Sequence, residues 1–249
     1  MKTDFTIITA QQDFDLLKIA RSHINENWPE FMLNDPVANN FPTCYEKLPQ
    51  FQFVLFDESA GKVAAIGNSI PLSWNDDSEN LPEEGWDWAM TQGIADLGKG
   101  TVTKTLSALQ VVVFKDYRGQ GISTLAVEYM RTLARKNGFA RLIAPVRPSG
   151  CDLSQYKSFE DYVYLKKDDG WPLDPWLRVH CRLGGKIIKI CHRSMKITAP
   201  VADWERWGGM SCQRSGDYTI NHALNTIHID LDKNIGTYLE PNVWVVHSL

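Results

Sequence analysis

Val111-Val112-Val113-Phe114-Lys115-Asp116-Tyr117-Arg118-Gly119-Gln120-Gly121-Ile122-Ser123 is the stretch on which the reading of the fold turns. Its Val111 to Phe114 run is apolar on both faces, the pattern of a central strand buried on each side. Two glycines spaced by one residue interrupt the chain. Ile122, Leu125, Ala126, Tyr129, Met130 and Leu133 then recur on one helical face. Asn137-Gly138 ends that helix, with Gly138 suited to a left-handed C-cap. Ala140 to Val146 is a second apolar strand. Strand, glycine-rich turn, helix, strand is a βαβ unit, so the two strands run parallel.

A turn of this kind has a chemical use. The first N–H groups of a helix have no partner inside it and carry the positive end of its dipole. Glycines let the backbone curl so that these amides converge on an anion. Arg118 adds a cation or fixes the turn, and Ser123 adds a hydroxyl. Taken alone, the two glycines equally suit a plain strand-to-helix turn. A P-loop is excluded because no Lys precedes a Ser or Thr after the last glycine. A dinucleotide fingerprint is excluded because Thr124 stands where the third glycine belongs.

Outward from this unit, residues 5–9 read as a strand and 13–24 as an amphipathic helix, with a second short helix starting near Trp28. Residues 51–56 and 62–67 form a hairpin around the turn Asp57 to Gly61. The segment from Trp74 to Gly100 is acidic, loop-like and then weakly helical. It reads as an insertion beside a binding site or as a surface excursion. Asp174-Pro175-Trp176 opens a helix that Gly184-Gly185 closes, and 186–191 is a strand. Residues 217–246 read as further β structure, with turns at Asp232-Lys233-Asn234 and Glu240-Pro241-Asn242.

Composition narrows the function. Of 249 residues, 43% are apolar and 22% charged, which suits a folded core and not a disordered chain. The formal net charge of −4 speaks against broad nucleic-acid binding. No apolar run approaches membrane-spanning length, and the N-terminus lacks the pattern of a signal peptide. The five cysteines are scattered and odd in number, which suits reduced thiols in the cytoplasm. Nine tryptophans point to an aromatic core or an apolar groove. A carbohydrate-binding β domain would share that count, but the 122–136 helix speaks against it.

The stretch from Val111 to Ser123 resembles the coenzyme A signature of the Gcn5-related N-acetyltransferase family, (Gln/Arg)-x-x-Gly-x-(Gly/Ala). Arg118, Gly121 and Ser123 fill its defined positions. Ser in place of Gly or Ala, and Lys115 where many members have Pro, are the departures. Element order is similar over residues 1–192, while the motif itself spans about 15 residues. The resemblance implies an α/β (α+β) fold: a mixed, mostly antiparallel sheet with a splayed parallel strand pair, helices on both faces and a C-terminal elaboration. It implies one domain over 1–249, with an insertion at about 75–100 and the elaboration at about 193–249.

It also implies a chemistry: direct attack of an amine on an acyl-CoA thioester, without metal. The acyl group is acetyl, or longer if the Trp-rich insertion opens a groove. Val111, Val112 and Val113 would pair with the pantetheine arm. Arg118 and the amides of Gly119, Gln120, Gly121, Ile122 and Ser123 would hold the pyrophosphate. The Val113 amide is the candidate oxyanion donor. His180, in Val179-His180-Cys181-Arg182-Leu183-Gly184-Gly185, falls where a Tyr often protonates the departing thiolate. Glu240, Asp87 and Asp96 are candidate bases. Arg147 is a candidate grip for an acidic acceptor or a cofactor phosphate, and Trp86, Trp88, Trp171 and Trp176 for a groove wall or core. The expected acceptor is a small-molecule amine; a homodimer is compatible with the sequence. The alternative is a non-catalytic module that holds CoA or another ligand on the same fold.

Overall fold

The computed structural model describes residues 5–249. Its elements in chain order are β1 (Phe5–Thr9), α1 (Phe14–Ser22), α2 (Phe41–Lys47), β2 (Gln52–Asp57), β3 (Lys62–Leu72), α3 (Gly85–Lys99), β4 (Thr105–Val113), α4 (Ile122–Lys136), β5 (Arg141–Val146), α5 (Phe159–Val163), α6 (Pro175–Arg182), β6 (Lys186–Pro200), α7 (Val201–Gly208), β7 (Gly216–Tyr218), β8 (Ile227–Asp230) and β9 (Ile235–Ser248). The strands make one sheet in the order β1-β2-β3-β4-β5-β9-β8-β7, with β6 along the other side of β9. Every pairing is antiparallel except β4 with β5.

Helices cover both faces. On one face α1 packs near Val54 and Ile66, Tyr45 of α2 receives the Asn68 amide at 2.9 Å, and Gly93 of α3 lies against Ile70. On the other, Tyr129 of α4 meets Phe53 edge-on at 4.7 Å, and α6 packs against α4. The caps come from the side chains the sequence offers. Asp13 accepts from the Leu16 amide at 2.8 Å, and Asp174 from the Trp176 and Leu177 amides at 2.9 and 3.0 Å.

Four features depart from the sequence reading. The second short helix is a five-residue 3₁₀ stretch, Glu30–Asn34. The weakly helical segment is the full 15-residue helix α3, which buries Trp86, Ala89 and Met90; neighbours supply the stability its sequence pattern does not advertise. Residues 240–242 lie within β9 instead of turning. Pro241 is tolerated because it faces the register break of β6 between Cys191 and Met195, where no ladder bond needs its missing N–H. Leu125, placed by spacing on the buried face of α4, is 41% exposed, because there the helix overhangs the β1 edge beside Phe5.

The site is positioned by one irregularity. β4 and β5 pair only at Thr105↔Arg141, Leu106↔Leu142 and Ser107↔Ile143, although both strands continue. The β3–β4 register shifts directly opposite that point, between Asn68 and Ser69, so Leu109 is an extra residue in β4. Such a bulge bends a strand and increases its twist. The Trp86 indole holds the bend, donating to the Leu109 carbonyl at 2.7 Å. Beyond it the parallel pair opens.

Candidate active site

The opening between β4 and β5 leads into a cleft of about 360 Å³. Ala108 to Val111 form one wall and Ala144 to Arg147 the other. The Phe114 amide donates to the Ala64 carbonyl at 3.0 Å. Antiparallel alternation therefore aims Val112 and Gln110 at β3 and turns the N–H groups of Val111 and Val113 to the open side. Val111 lines the cleft, whereas Val113 stands at its rim, its carbonyl receiving the Arg118 side chain at 3.3 Å. Val112 spends its backbone on β3.

The turn past the rim has the geometry an anion needs. Gly119 and Gly121 take φ of +77° and +79°, where a side chain is strained. Among the described residues, no acceptor meets the amides of Gly119, Gln120, Gly121, Ile122 or Ser123. The first amides that find one are Thr124 and Leu125, both on the Gly121 carbonyl. Arg118 reaches away to Asn27 at 3.0 Å, and Gln120 bonds the Asp116 carbonyl at 2.9 Å. Both side chains brace the turn and leave its amides open. A diphosphate fits such a row of N–H groups at a helix N-terminus.

His180 lines the cleft and is otherwise buried. Its Nδ1 lies 2.9 Å from Nε2 of His247 on β9. Burial, aided by the neighbouring His247, lowers its pKa to about 3, and burial together with Arg131 lowers that of His247 to about 4. Both rings are neutral at neutral pH. Gly185 makes room for the pair: a Cβ there would stand 2.8 Å from the His247 ring and from the His180 carbonyl.

The carboxylates have other surroundings. Glu240 is fully buried and holds the Arg147 guanidinium and the Tyr238 hydroxyl, so Arg147 is the member of this group that faces the cleft. Burial raises the Glu240 pKa against the opposing pull of Arg147. Asp96 receives the Ser73 amide at 2.6 Å and Gln92 at 3.1 Å away from the cleft; against its burial, these bonds keep its pKa low. Asp87 accepts the Lys196 amide at 3.0 Å, and burial plus the charge of Asp35 pushes its pKa up to about 8. Trp86 and Trp176 line the cleft. Trp88 packs on Trp244 at 5.9 Å, and Trp171 is 39% exposed.

Sequence reasoning passed over Arg21, Tyr45, Asn242 and His247. The first three line the cleft, and His247 backs it through His180. No local motif marks them, since they arrive from α1, α2 and β9.

No family model matches the chain. The arginine N-acetyltransferase avaD of Aspergillus versicolor is 32% identical over 251 aligned residues, taking in 89% of this chain and 85% of that enzyme. The loading GNATL domain of CurA from Lyngbya majuscula superposes with a TM-score of 0.62 over 98% of both chains, at 17% identity. The GphF GNAT-like decarboxylase, solved with isobutyryl-CoA, gives 0.60 over the same share of each chain, also at 17%. These two show the fold, and the relative at 32% identity shows the family. The chain belongs to the Gcn5-related N-acetyltransferase family and is an acyl-CoA-dependent N-acyltransferase.

Proposed function

We propose that this enzyme transfers an acetyl group from acetyl-CoA to the amine of a small amino acid of the arginine type. The observation that carries the reading is the cleft itself: an opened parallel pair above a turn with free amides, ending in a wall with guanidinium groups and, among the described residues, no carboxylate. The printed activity of the avaD relative supports arginine as acceptor and acetyl as the acyl group. We read the whole chain as one domain, because the 75–100 segment contributes Trp86 and the C-terminal stretch contributes Asn242 to the same cleft.

The roles follow from the chemistry each group retains. The turn amides hold the diphosphate, and the open backbone of Val111 pairs with the pantetheine arm. The neutral amine nitrogen attacks the thioester carbon, the C–S bond breaks, and the proton lost by nitrogen ends on sulfur. The Val111 and Val113 amides are the donors open to the oxyanion. His180 is neutral, so it acts as an imidazole N–H donor and not as an imidazolium acid. The two rings share one proton across the contact between His180 Nδ1 and His247 Nε2; with that proton on His247, His180 carries its own on Nε2, the nitrogen that serves the departing sulfur. A bound water relays the proton from the attacking nitrogen to the sulfur, since Glu240 is closed behind Arg147.

The test is a thiol-release assay with acetyl-CoA and a panel of amino acids, paired with thermal shift across CoA thioesters of rising chain length. Acetyl-CoA should stabilise the protein, and L-arginine should release thiol above background. Stabilisation without thiol release for any amine would establish a binding module instead.

A further inference from the structure

We infer that Arg21 is the receptor for the carboxylate of the acceptor, and so the residue that selects an amino acid over the corresponding simple amine. This rests on the acyltransferase reading above. Arg21 sits in the last turn of α1, lines the cleft, and lays its guanidinium over the Tyr45 ring at 4.1 Å. That stack engages the face of the guanidinium and leaves its N–H edge unused. Among the described residues it has no hydrogen bond and no ion pair.

The contrast with Arg147, the other cation of the cleft wall, is direct. Arg147 is held by buried Glu240 and by the His222 carbonyl at 2.5 Å, so its charge is already answered. The Arg21 charge is not. Among the described residues, the cleft lining has no Asp or Glu to meet it, and His180 is neutral. A cation left open on a part-apolar wall favours an anionic group of the ligand, bound edge-on by two parallel N–H···O bonds.

Two ligands bring anions here: the carboxylate of the acceptor and the phosphates of the cofactor. The diphosphate has its own amides at the start of α4. Arg21, by contrast, belongs to an aromatic wall that runs through Tyr45, Phe41 and Trp86 to the bend of β4 at Leu109. That wall borders the place where the thioester must lie, which assigns Arg21 to the acceptor.

The experiment measures kcat and KM for amino acids and their decarboxylated partners, L-arginine with agmatine and L-ornithine with putrescine, in the wild-type enzyme, Arg21→Gln and Arg21→Lys. Thermal shift with CoA alone and with CoA plus each amine runs alongside. Wild type should prefer the carboxylate-bearing member by roughly 10- to 100-fold in kcat/KM, the range of a charge-assisted bond. Arg21→Gln should erase that preference by raising KM for L-arginine and L-ornithine, with no rise in KM for agmatine or putrescine, and Arg21→Lys should restore part of it. The shift with CoA alone should match wild type. A preference that survives in Arg21→Gln, or a wild type with no preference in turnover or in shift, overturns the assignment. Loss of the CoA shift in Arg21→Gln would also overturn it and reassign Arg21 to a cofactor phosphate. If thiol release fails for every amine while the CoA-plus-amine shifts still favour amino acids, the acyltransferase reading fails and the Arg21 assignment stands.

Discussion

The two halves of the cleft are built in opposite ways. The cofactor half is one continuous stretch, β4 with its turn and α4, where a single chain segment supplies the open strand edge and the free amides. The acceptor half is gathered from α1, α2, α3, α6, β6 and β9, and its residues meet only across the folded sheet. A helix N-terminus needs nothing distant to point its N–H groups outward. A neutral histidine, an unpaired arginine and an aromatic wall need burial and neighbours, which are properties of the whole fold.

The sharpest way to separate the halves is His180→Phe. It should lower kcat by about 100-fold, as loss of a preorganised hydrogen-bond donor to developing charge does, with the CoA-induced thermal shift unchanged. A variant that also loses the CoA shift would break the division into halves. The converse is Gly121→Val. At φ +79° a β-branched residue is strained by about 1–2 kcal/mol. CoA affinity should therefore fall by about tenfold in a titration, while kcat at saturating acetyl-CoA stays within about twofold.

The acceptor half should also govern how stability depends on pH. The Asp35–Asp87 pair joins the loop before α2 to α3 and β6; Asp87 is raised from 3.8 to about 8. Between those values the folded chain keeps a proton that the unfolded chain has released, so stability falls as pH rises through the window. Asp87→Asn should flatten that slope in denaturant titrations at pH 5 to 8.5. His180 and His247 act in the other direction. Their values are lowered from 6.5 to about 3 and about 4, so the unfolded chain takes up protons first and stability falls as pH drops below 6.5. Replacing His247 by Gln should lessen that acid-side loss. The smallest expected effect returns to the cofactor half: Ser123→Ala removes one hydroxyl beside the turn and should weaken CoA binding by a few-fold, the worth of a single neutral hydrogen bond.

What could be read without coordinates followed the same division. The strand, turn and helix of residues 111–136 were legible because apolar run, glycine spacing and helical period are all local patterns. The helix cap at Asp174 was legible for the same reason, since Asp-Pro at a helix start is a local pattern. The 85–99 helix was blurred, since its burial on two neighbours keeps it from showing one clean apolar stripe. His180 was visible through the motif around it, but not its charge state, because the partner that helps keep it neutral lies at 247. Glu240 looked available in the sequence and is closed in the fold by Arg147 and Tyr238.

The amino-acid sequence alone determined the glycine turn ahead of the helix, the parallel order of the strands around it, and the absence of competing nucleotide motifs. The tertiary structure alone decided where that parallel pair opens, which backbone amides face the opening, and which of the cleft's charged groups remains without a partner. The division has a physical cause. Backbone geometry and helix dipoles act within a few residues of chain, whereas desolvation and ion pairing depend on what the rest of the molecule brings alongside.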